Sequence, residues 1–311
     1  MTLLITHKAC LEHDTTANHP ESADRLRAID TALNGDGFQS LSRNDAPQAS
    51  IEQIERVHPR RHIETIELAS QQAGTGAPVF LDADTVLSSG SFEAALRAAG
   101  AVCAGVDAVL AGDTGNAFCA TRPPGHHAEP AKAMGFCLFN NVAIGARHAQ
   151  AYPEISRVAI IDFDVHHGNG TQAVFEADPS YFYASSHQSP YYPGTGAAHE
   201  TGVGNILNIP LASGAATAEI RAAYEGQVIP ALEQFSPDMV FISAGFDAHA
   251  ADPLANLMFS TADYEYLTDL LCHFVADHCQ GRLVSTLEGG YNLNALAQSV
   301  EAHVQTLMKY S

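Results

Sequence analysis

Two carboxylates and two imidazoles follow one short apolar run, in Ile160-Ile161-Asp162-Phe163-Asp164-Val165-His166-His167, and a Gly168-Asn169-Gly170 turn is expected to close the stretch. The β-branched run ahead of them, Val158 to Ile161, has the character of a buried parallel strand. Asp162, Asp164 and His166 alternate, so along an extended chain they share one face. A carboxylate oxygen and an imidazole nitrogen at i and i+2 form a two-ligand clip for a zinc-like ion. The plainer alternative is a polar turn with hydrogen-bonded imidazoles. Burying that much charge without a metal is costly.

Other polar groups also fall just past apolar runs. Ala117 to Ala120 leads into Arg122-Pro123-Pro124-Gly125-His126-His127, Met239 to Ser243 into Gly245-Phe246-Asp247, and Leu283 to Leu287 into Glu288-Gly289-Gly290-Tyr291. Helical patterns separate these runs: about Glu21 to Leu33, Ile51 to Val57, His62 to Ser70, Phe92 to Leu110, Asn141 to Gln150, Ala218 to Gln234, Thr261 to His278 and Asn294 to Met308. Further strands are expected at Leu3 to Ile5, Tyr181 to Ser185 and Ile206 to Ile209. Alternating strands and helices imply an α/β fold with a parallel sheet, whose right-handed crossovers bring all carboxyl ends to one edge. Ligands bind at that edge, so residues distant in sequence converge there. Neither a linker nor an internal repeat interrupts the pattern, and a single catalytic domain spanning 1–311 is expected.

Asp164, His166 and Asp247 give a metal three protein ligands and leave positions for water and substrate, the style of a catalytic site. His126 and His127 offer a general base and a general acid. Asp162 is the natural carboxylate partner for one imidazole, and Asn169 offers a neutral hydrogen bond to the other. Tyr291, on a glycine turn, can donate to a developing oxyanion. Together these residues suit metal-assisted amide hydrolysis. His7, Cys10, His13 and His19 have the residue types of a second metal site, but their spacing fits no zinc module and they read as a loop at the pocket rim.

The chain carries 35 acidic and 15 basic residues, a formal charge of −20. Such a surface repels nucleic acid and favours cationic partners such as lysine-bearing tails or polyamines. The six cysteines form no C-x-x-C pair, the first residues, Met1 to Thr6, lack the basic n-region and long apolar run expected of a signal peptide, and no run is long enough for a membrane helix. Reduced thiols in a cytoplasmic enzyme are expected. A homo-oligomer is left open.

Arg122-Pro-Pro-Gly-His-His-Ala128, Gly135-Phe-Cys137, Asp162 to Thr171, Gly245-Phe-Asp247 and Leu287-Glu-Gly-Gly-Tyr291 resemble the zinc-dependent histone deacetylase family, its class II branch and bacterial amidohydrolase relatives above all. His19-Pro20-Glu21 and Arg25-Leu26 extend the match, which runs in order over nearly the whole chain. The resemblance implies an arginase/deacetylase fold, a single domain with an eight-stranded parallel sheet flanked by helices. It implies Zn²⁺ on Asp164, His166 and Asp247, His127 as general base and then acid, His126 tied to Asp162, and Tyr291 on the oxyanion. It further implies a narrow acyl-lysine channel with Gly135, Phe136, Tyr192, Leu254 and Gly289. K⁺ is expected near the zinc, on Asp162, Asp164, His166, Ser185 and Ser186.

Tyr192 stands where many relatives have phenylalanine, and Asn169 replaces the aspartate of class I members. Polyamine deacetylases of this superfamily place a carboxylate at the channel mouth, where this chain has Leu254. The expected substrate is therefore an acyl-lysine peptide or protein, or a small N-acyl amine, with acetylpolyamine hydrolysis as the alternative. Asp82 and Asp84 both suit a role at the rim. A catalytically silent acyl-lysine binding module would be expected to lose Tyr291, a tandem histidine or a zinc ligand, and none is missing. An arginase-type ureohydrolase would need more carboxylates for two metals.

Overall fold

The computed structural model describes all 311 residues, Met1–Ser311. In chain order the strands are β1 (Thr2–Thr6), β2 (Ser42–Asp45), β3 (Val79–Phe80), β4 (Val86–Leu87), β5 (Asn116–Cys119), β6 (Val158–Asp162), β7 (Tyr181–Gln188), β8 (Ile206–Leu211), β9 (Met239–Ala244) and β10 (Leu283–Leu287). Eight of them form one sheet in the order β2-β1-β5-β10-β9-β6-β7-β8. Every pairing within it is parallel. The remaining two, β3 and β4, form a small antiparallel hairpin. The four strands that carry the candidate site, β5, β10, β9 and β6, are therefore consecutive at the centre.

Strand alternation divides the core between the two faces. Leu4, Phe118, Ile161, Ala184 and Ile242 belong to one apolar cluster, with helices Ala23–Leu33, Thr261–His278 and Leu293–Lys309. Leu3, Ile5, Ala117, Ile160, Tyr183 and Phe241 belong to the other, with helices Ser91–Leu110 and Asn141–Ala149. A sheet covered on both faces reads as continuous apolar runs, which is why seven of the strands could be recognised. The eighth, β2, could not. Its residues Ser-Arg-Asn-Asp lie at the sheet edge, mostly exposed, and no apolar pattern marks them. Gly105 lets helix Ser91–Leu110 approach the sheet closely, since a Cβ there would lie 3.3 Å from Ala117 Cβ and Val284 Cγ1.

The Gly168-Asn169-Gly170 segment, expected to be a turn, begins a helix at Asn169–Phe175. The long helix after β8 contains a π-helical segment, Tyr224–Val228, between Thr217–Ala223 and Ile229–Phe235. All six cysteines are free and buried. No helix is long and apolar enough to cross a membrane.

Two buried histidines make the fold sensitive to acid. His58 Nε2 accepts a hydrogen bond from the Asn140 amide at 2.8 Å, so its Nδ1–H donates to Pro130 O at 3.0 Å. His303 lies among Phe118, Phe163 and Phe246, between the hydroxyls of Thr268 and Ser285. Burial pushes both imidazoles down to about 3. A group depressed below its unfolded value contributes stability above that value and loses it as pH falls. From pH ~6.5 downward, each therefore removes up to about 1.4 kcal/mol per pH unit. Urea midpoints should fall steeply between pH 6 and 4, and more shallowly in His303→Asn. An equal slope in the variant would exclude His303 as a source.

Candidate active site

The chain leaves β6 at Asp162 and turns, but its alternation persists. Phe163 and Val165 enter the core, while Asp164 and His166 face the opposite way, toward Asp247 from the end of β9. His166 Nδ1 lies 3.1 Å from Asp164 Oδ1 and 3.2 Å from Asp247 Oδ2. One ligand-type atom from each of the three residues falls within 4.8 Å of the others. Backbone amides fix the carboxylates. Gly289 N donates to Asp164 Oδ2 and His166 N to Asp164 Oδ1, both at 2.8 Å, and Val165 N donates to Asp247 Oδ1 at 2.9 Å.

A divalent cation fits this cluster. Asp247 Oδ2 is buried and has no hydrogen-bond partner. Burial and the neighbouring Asp164 carboxylate push the Asp247 carboxyl up to about 7. Two carboxylates on one imidazole nitrogen leave uncompensated negative charge in a buried space, which a cation removes. The donor set of two oxygens and one nitrogen suits zinc. The glycines around it are a matter of space. A Cβ on Gly245 would lie 2.0 Å from Asp164 Oδ2, and one on Gly289 would lie 2.1 Å from Asp247 Oδ2.

The tandem histidines come from the turn after β5, their ring centroids 4.0 Å apart. His126 Nδ1 lies 3.0 Å from Asp162 Oδ2, which also accepts from Tyr183 Oη at 2.9 Å. Burial opposes a charge on His126, but Asp162 and Asp164 outweigh it and hold the imidazole up at about 10. His127 Nδ1 lies 2.8 Å from Asn169 Oδ1, whose amide nitrogen is spent on Glu129 Oε1. The Asn169 oxygen can only accept, so His127 carries its proton on Nδ1 and leaves Nε2 open as a base. Burial, then the neighbouring His126 and His166, hold His127 well below its ordinary value. The two imidazoles are thus driven apart, one kept charged and one kept neutral.

A cavity of about 320 Å³ opens above the cluster, lined by Asp84, His127, Gly135, Phe136, His166, Tyr191, Tyr192, Leu254 and Tyr291. Phe136 meets the Tyr291 ring edge-on at 5.9 Å, and Tyr192 meets His127 edge-on at 5.2 Å. Tyr191 stacks at 5.7 Å on His166, and its hydroxyl donates to Leu254 O, closing the wall on that side. Tyr291 Oη lies in an environment that raises its pKa well above the ordinary value. Burial is the main cause, Asp247 and Asp164 add to it, and Arg25 opposes it. Its hydroxyl therefore remains protonated and able to donate.

Some expectations need correcting. Gly289, expected in the channel wall, is not among the residues lining the cavity; its amide holds Asp164, and a side chain there would enter the carboxylates. Of the two rim carboxylates only Asp84 faces the cavity. Asp82 Oδ1 is occupied by the amides of Asp84 and Thr85. Ser185 pairs with Asp162 in register, but its hydroxyl bonds His187 Nδ1 at 2.9 Å, and Ser186 Oγ faces Tyr224 Oη at 3.4 Å, so the potassium reading rests on the resemblance alone. His7, Cys10, His13 and His19 do not converge. His7 caps Ala9 N, Cys10 is buried, His13 bonds Ser91 and His19 bonds Asp84 O.

Sequence reasoning did not single out Tyr191 or Glu288. Glu288 Oε2 accepts from Gly125 N at 2.7 Å and His126 N at 3.1 Å, while Oε1 accepts from Ser243 Oγ. This buried carboxylate locks the turn before His126 to the end of β10. The Glu-Gly-Gly-Tyr run marked the place, but nothing in it indicated a bond back to β5.

The histone deacetylase domain matches residues 19–307, and this chain belongs to that family. It is 40% identical to histone deacetylase 14, chloroplastic, of Arabidopsis thaliana, over 98% of this chain and 76% of that protein. It is 39% identical to the histone deacetylase-like amidohydrolase of Pseudomonas aeruginosa, over 89% and 73%. Among solved structures, the HDA15 HD domain superposes with a TM-score of 0.93 at 36% identity, covering 100% of this chain and 90% of that one. The fold is accordingly the arginase/deacetylase fold. That Arabidopsis protein and a 42% identical relative from Oryza sativa, histone deacetylase 10, are both named chloroplastic, which does not fit a plain cytoplasmic location as a family property.

Proposed function

We propose that residues 1–311 form one catalytic domain, a zinc-dependent amidohydrolase that removes acetyl or other short acyl groups from acyl-lysine side chains or small N-acyl amines. One observation carries this reading: a buried Asp164–His166–Asp247 cluster at the floor of a cavity, with His127 and Tyr291 on its walls. Asp164, His166 and Asp247 would hold the zinc, which would supply Lewis-acid activation of water and of the amide carbonyl.

The chain's own residues account for the remainder. His127 Nε2 takes the proton of the attacking water, and the same nitrogen returns it to the leaving amine. Asn169 keeps His127 in the tautomer this requires. His126, charged and paired with Asp162, contributes positive potential beside the reacting carbonyl. Tyr291 donates to the oxygen that becomes negative. Phe136, Tyr191 and Tyr192 surround the aliphatic part of the substrate and exclude water. Leu254 brings no carboxylate to the mouth, and Asp84, the one carboxylate in the cavity lining, is assigned to the peptide backbone; together these favour peptide over polyamine.

Chelation should abolish turnover of an acetyl-lysine peptide, and one equivalent of Zn²⁺ should restore it. Asp247→Asn should lower bound zinc as measured by metal analysis, independently of activity. Activity that survived removal of all zinc and other divalent metal would exclude the mechanism. The substrate is tested by steady-state comparison with N-acetylputrescine. A preference for the polyamine above about tenfold, ~1.4 kcal/mol, would reverse the substrate assignment and leave the chemistry standing.

A further inference from the structure

Phe136 occupies the left-handed region, with φ +69°. The preceding glycine, Gly135, also has a positive φ, +56°. A bulky aromatic residue adopts this conformation only where its surroundings hold it there. Its amide donates to Thr85 Oγ1 at 3.1 Å, a bond from the loop between β3 and β4. Thr85 is fully buried. The same hydroxyl lies 3.4 Å from Asp84 Oδ1, on a carboxylate that lines the same cavity. The Thr85 amide and the Asp84 amide are both fixed by Asp82 Oδ1, at 2.6 and 3.0 Å. From outside, His19 Nε2 bonds Asp84 O at 3.0 Å, and its ring packs edge-on against Phe136 at 4.8 Å.

We propose that Thr85 is a positioning residue for the substrate channel: its single hydroxyl accepts from the Phe136 backbone and points its own hydrogen at Asp84, so that the aromatic wall and the rim carboxylate are set as one unit, buttressed by His19. The hydroxyl's orientation follows from bond counting. The Phe136 amide can only donate, so the Thr85 oxygen accepts there, and its hydrogen is free for the carboxylate. The Met134–Cys137 backbone bonds close the strained turn; without the Thr85 hydroxyl that turn loses its tie to the hairpin that carries Asp84. His127, Asp164 and Tyr291 share no hydrogen bond with Thr85, and the turn that presents Tyr291 is anchored separately by Asp252 and Arg25. This rests on the acyl-lysine reading above.

The test compares Thr85→Val, which keeps shape and removes both bonds, with Thr85→Ser, which keeps the hydroxyl. Hydrogen–deuterium exchange of the segment around Phe136 should quicken at least tenfold in Thr85→Val and return to the wild-type rate in Thr85→Ser. KM for an acetyl-lysine peptide should rise about tenfold in Thr85→Val with kcat within twofold, and Thr85→Ser should restore it. Unchanged exchange overturns the proposal, and so does faster exchange with KM unmoved, since Thr85 would then be structural only. A fall in kcat at constant KM would also overturn it. If wild-type protein turns over no acyl-lysine peptide, the functional reading fails separately. The exchange result and the Kd of a fluorescein-labelled acetyl-lysine peptide, scored by the same tenfold criterion, then decide the role of Thr85.

Discussion

Tyr291→Phe is expected to lower kcat on an acetyl-lysine peptide by about 10²–10³-fold, roughly 3–4 kcal/mol of barrier, the usual worth of one oxyanion donor. KM should stay within about threefold, because the lost bond strengthens only as negative charge develops. The ring itself does not depend on the hydroxyl. Arg25 Cζ lies 5.0 Å from its centroid, Phe136 packs at its edge, and the Tyr291 amide is held by Asp252 Oδ2 at 2.7 Å. Phenylalanine should therefore occupy the same position, with stability changed by no more than about 1 kcal/mol. Steady-state kinetics on zinc-loaded protein of confirmed metal content would separate the effects. A variant with wild-type kcat would remove the phenol from the mechanism. A loss confined to KM would make it a binding group only.

Much of this site was legible in the sequence because its residues occupy strand ends, and strand ends in a parallel sheet share an edge. Val158-Ala159-Ile160-Ile161 announced β6, and the position of Asp162, Asp164 and His166 followed from its alternation even where the chain leaves the strand. What stayed hidden was decided by contacts across long sequence separations. Asp82 and Asp84 are two residues apart and chemically alike, and only the hairpin turns one inward and the other onto backbone amides. Tyr191 and Tyr192 are adjacent, and both reach the cavity because the loop leaves β7 without continuing its alternation. The edge strand β2 has no core face to imprint a pattern on its residues. Burial of Glu21, Arg25 and Arg122 runs against composition rules altogether, since charged residues are seldom fully buried unless paired.

Those three charges carry the other large prediction. Glu21 Oε1 accepts from Arg25 Nη1 at 3.1 Å and from Arg122 Nε, while Oε2 accepts from Arg122 Nη2 at 2.7 Å. All three side chains are fully buried. Burial pushes the Glu21 carboxyl up, but Arg122 and Arg25 outweigh it and hold it at about 2. The arginines then spend their remaining donors on backbone that matters to the site. Arg122 reaches Cys10 O and His13 O, and Arg25 reaches Glu288 O and Gly290 O in the turn that presents Tyr291. Glu21→Gln would leave two guanidiniums buried without an anion. Removing one partner of a buried ion pair costs about 3–5 kcal/mol, far more than a surface pair is worth. Urea unfolding at pH 7 should show a loss of that size. It should come with reduced kcat, because the Gly290–Tyr291 turn loses its anchor. The sign of the pH dependence follows from the depressed carboxyl. Its contribution is complete above the unfolded value near 4.5 and fades as pH falls toward 2, so the variant's deficit should be constant from pH 8 to 5 and narrow only below that. A deficit under 1 kcal/mol at pH 7 would mean that the arginines find other anions, and that Glu21 does not hold the amino-terminal loop to the catalytic turn.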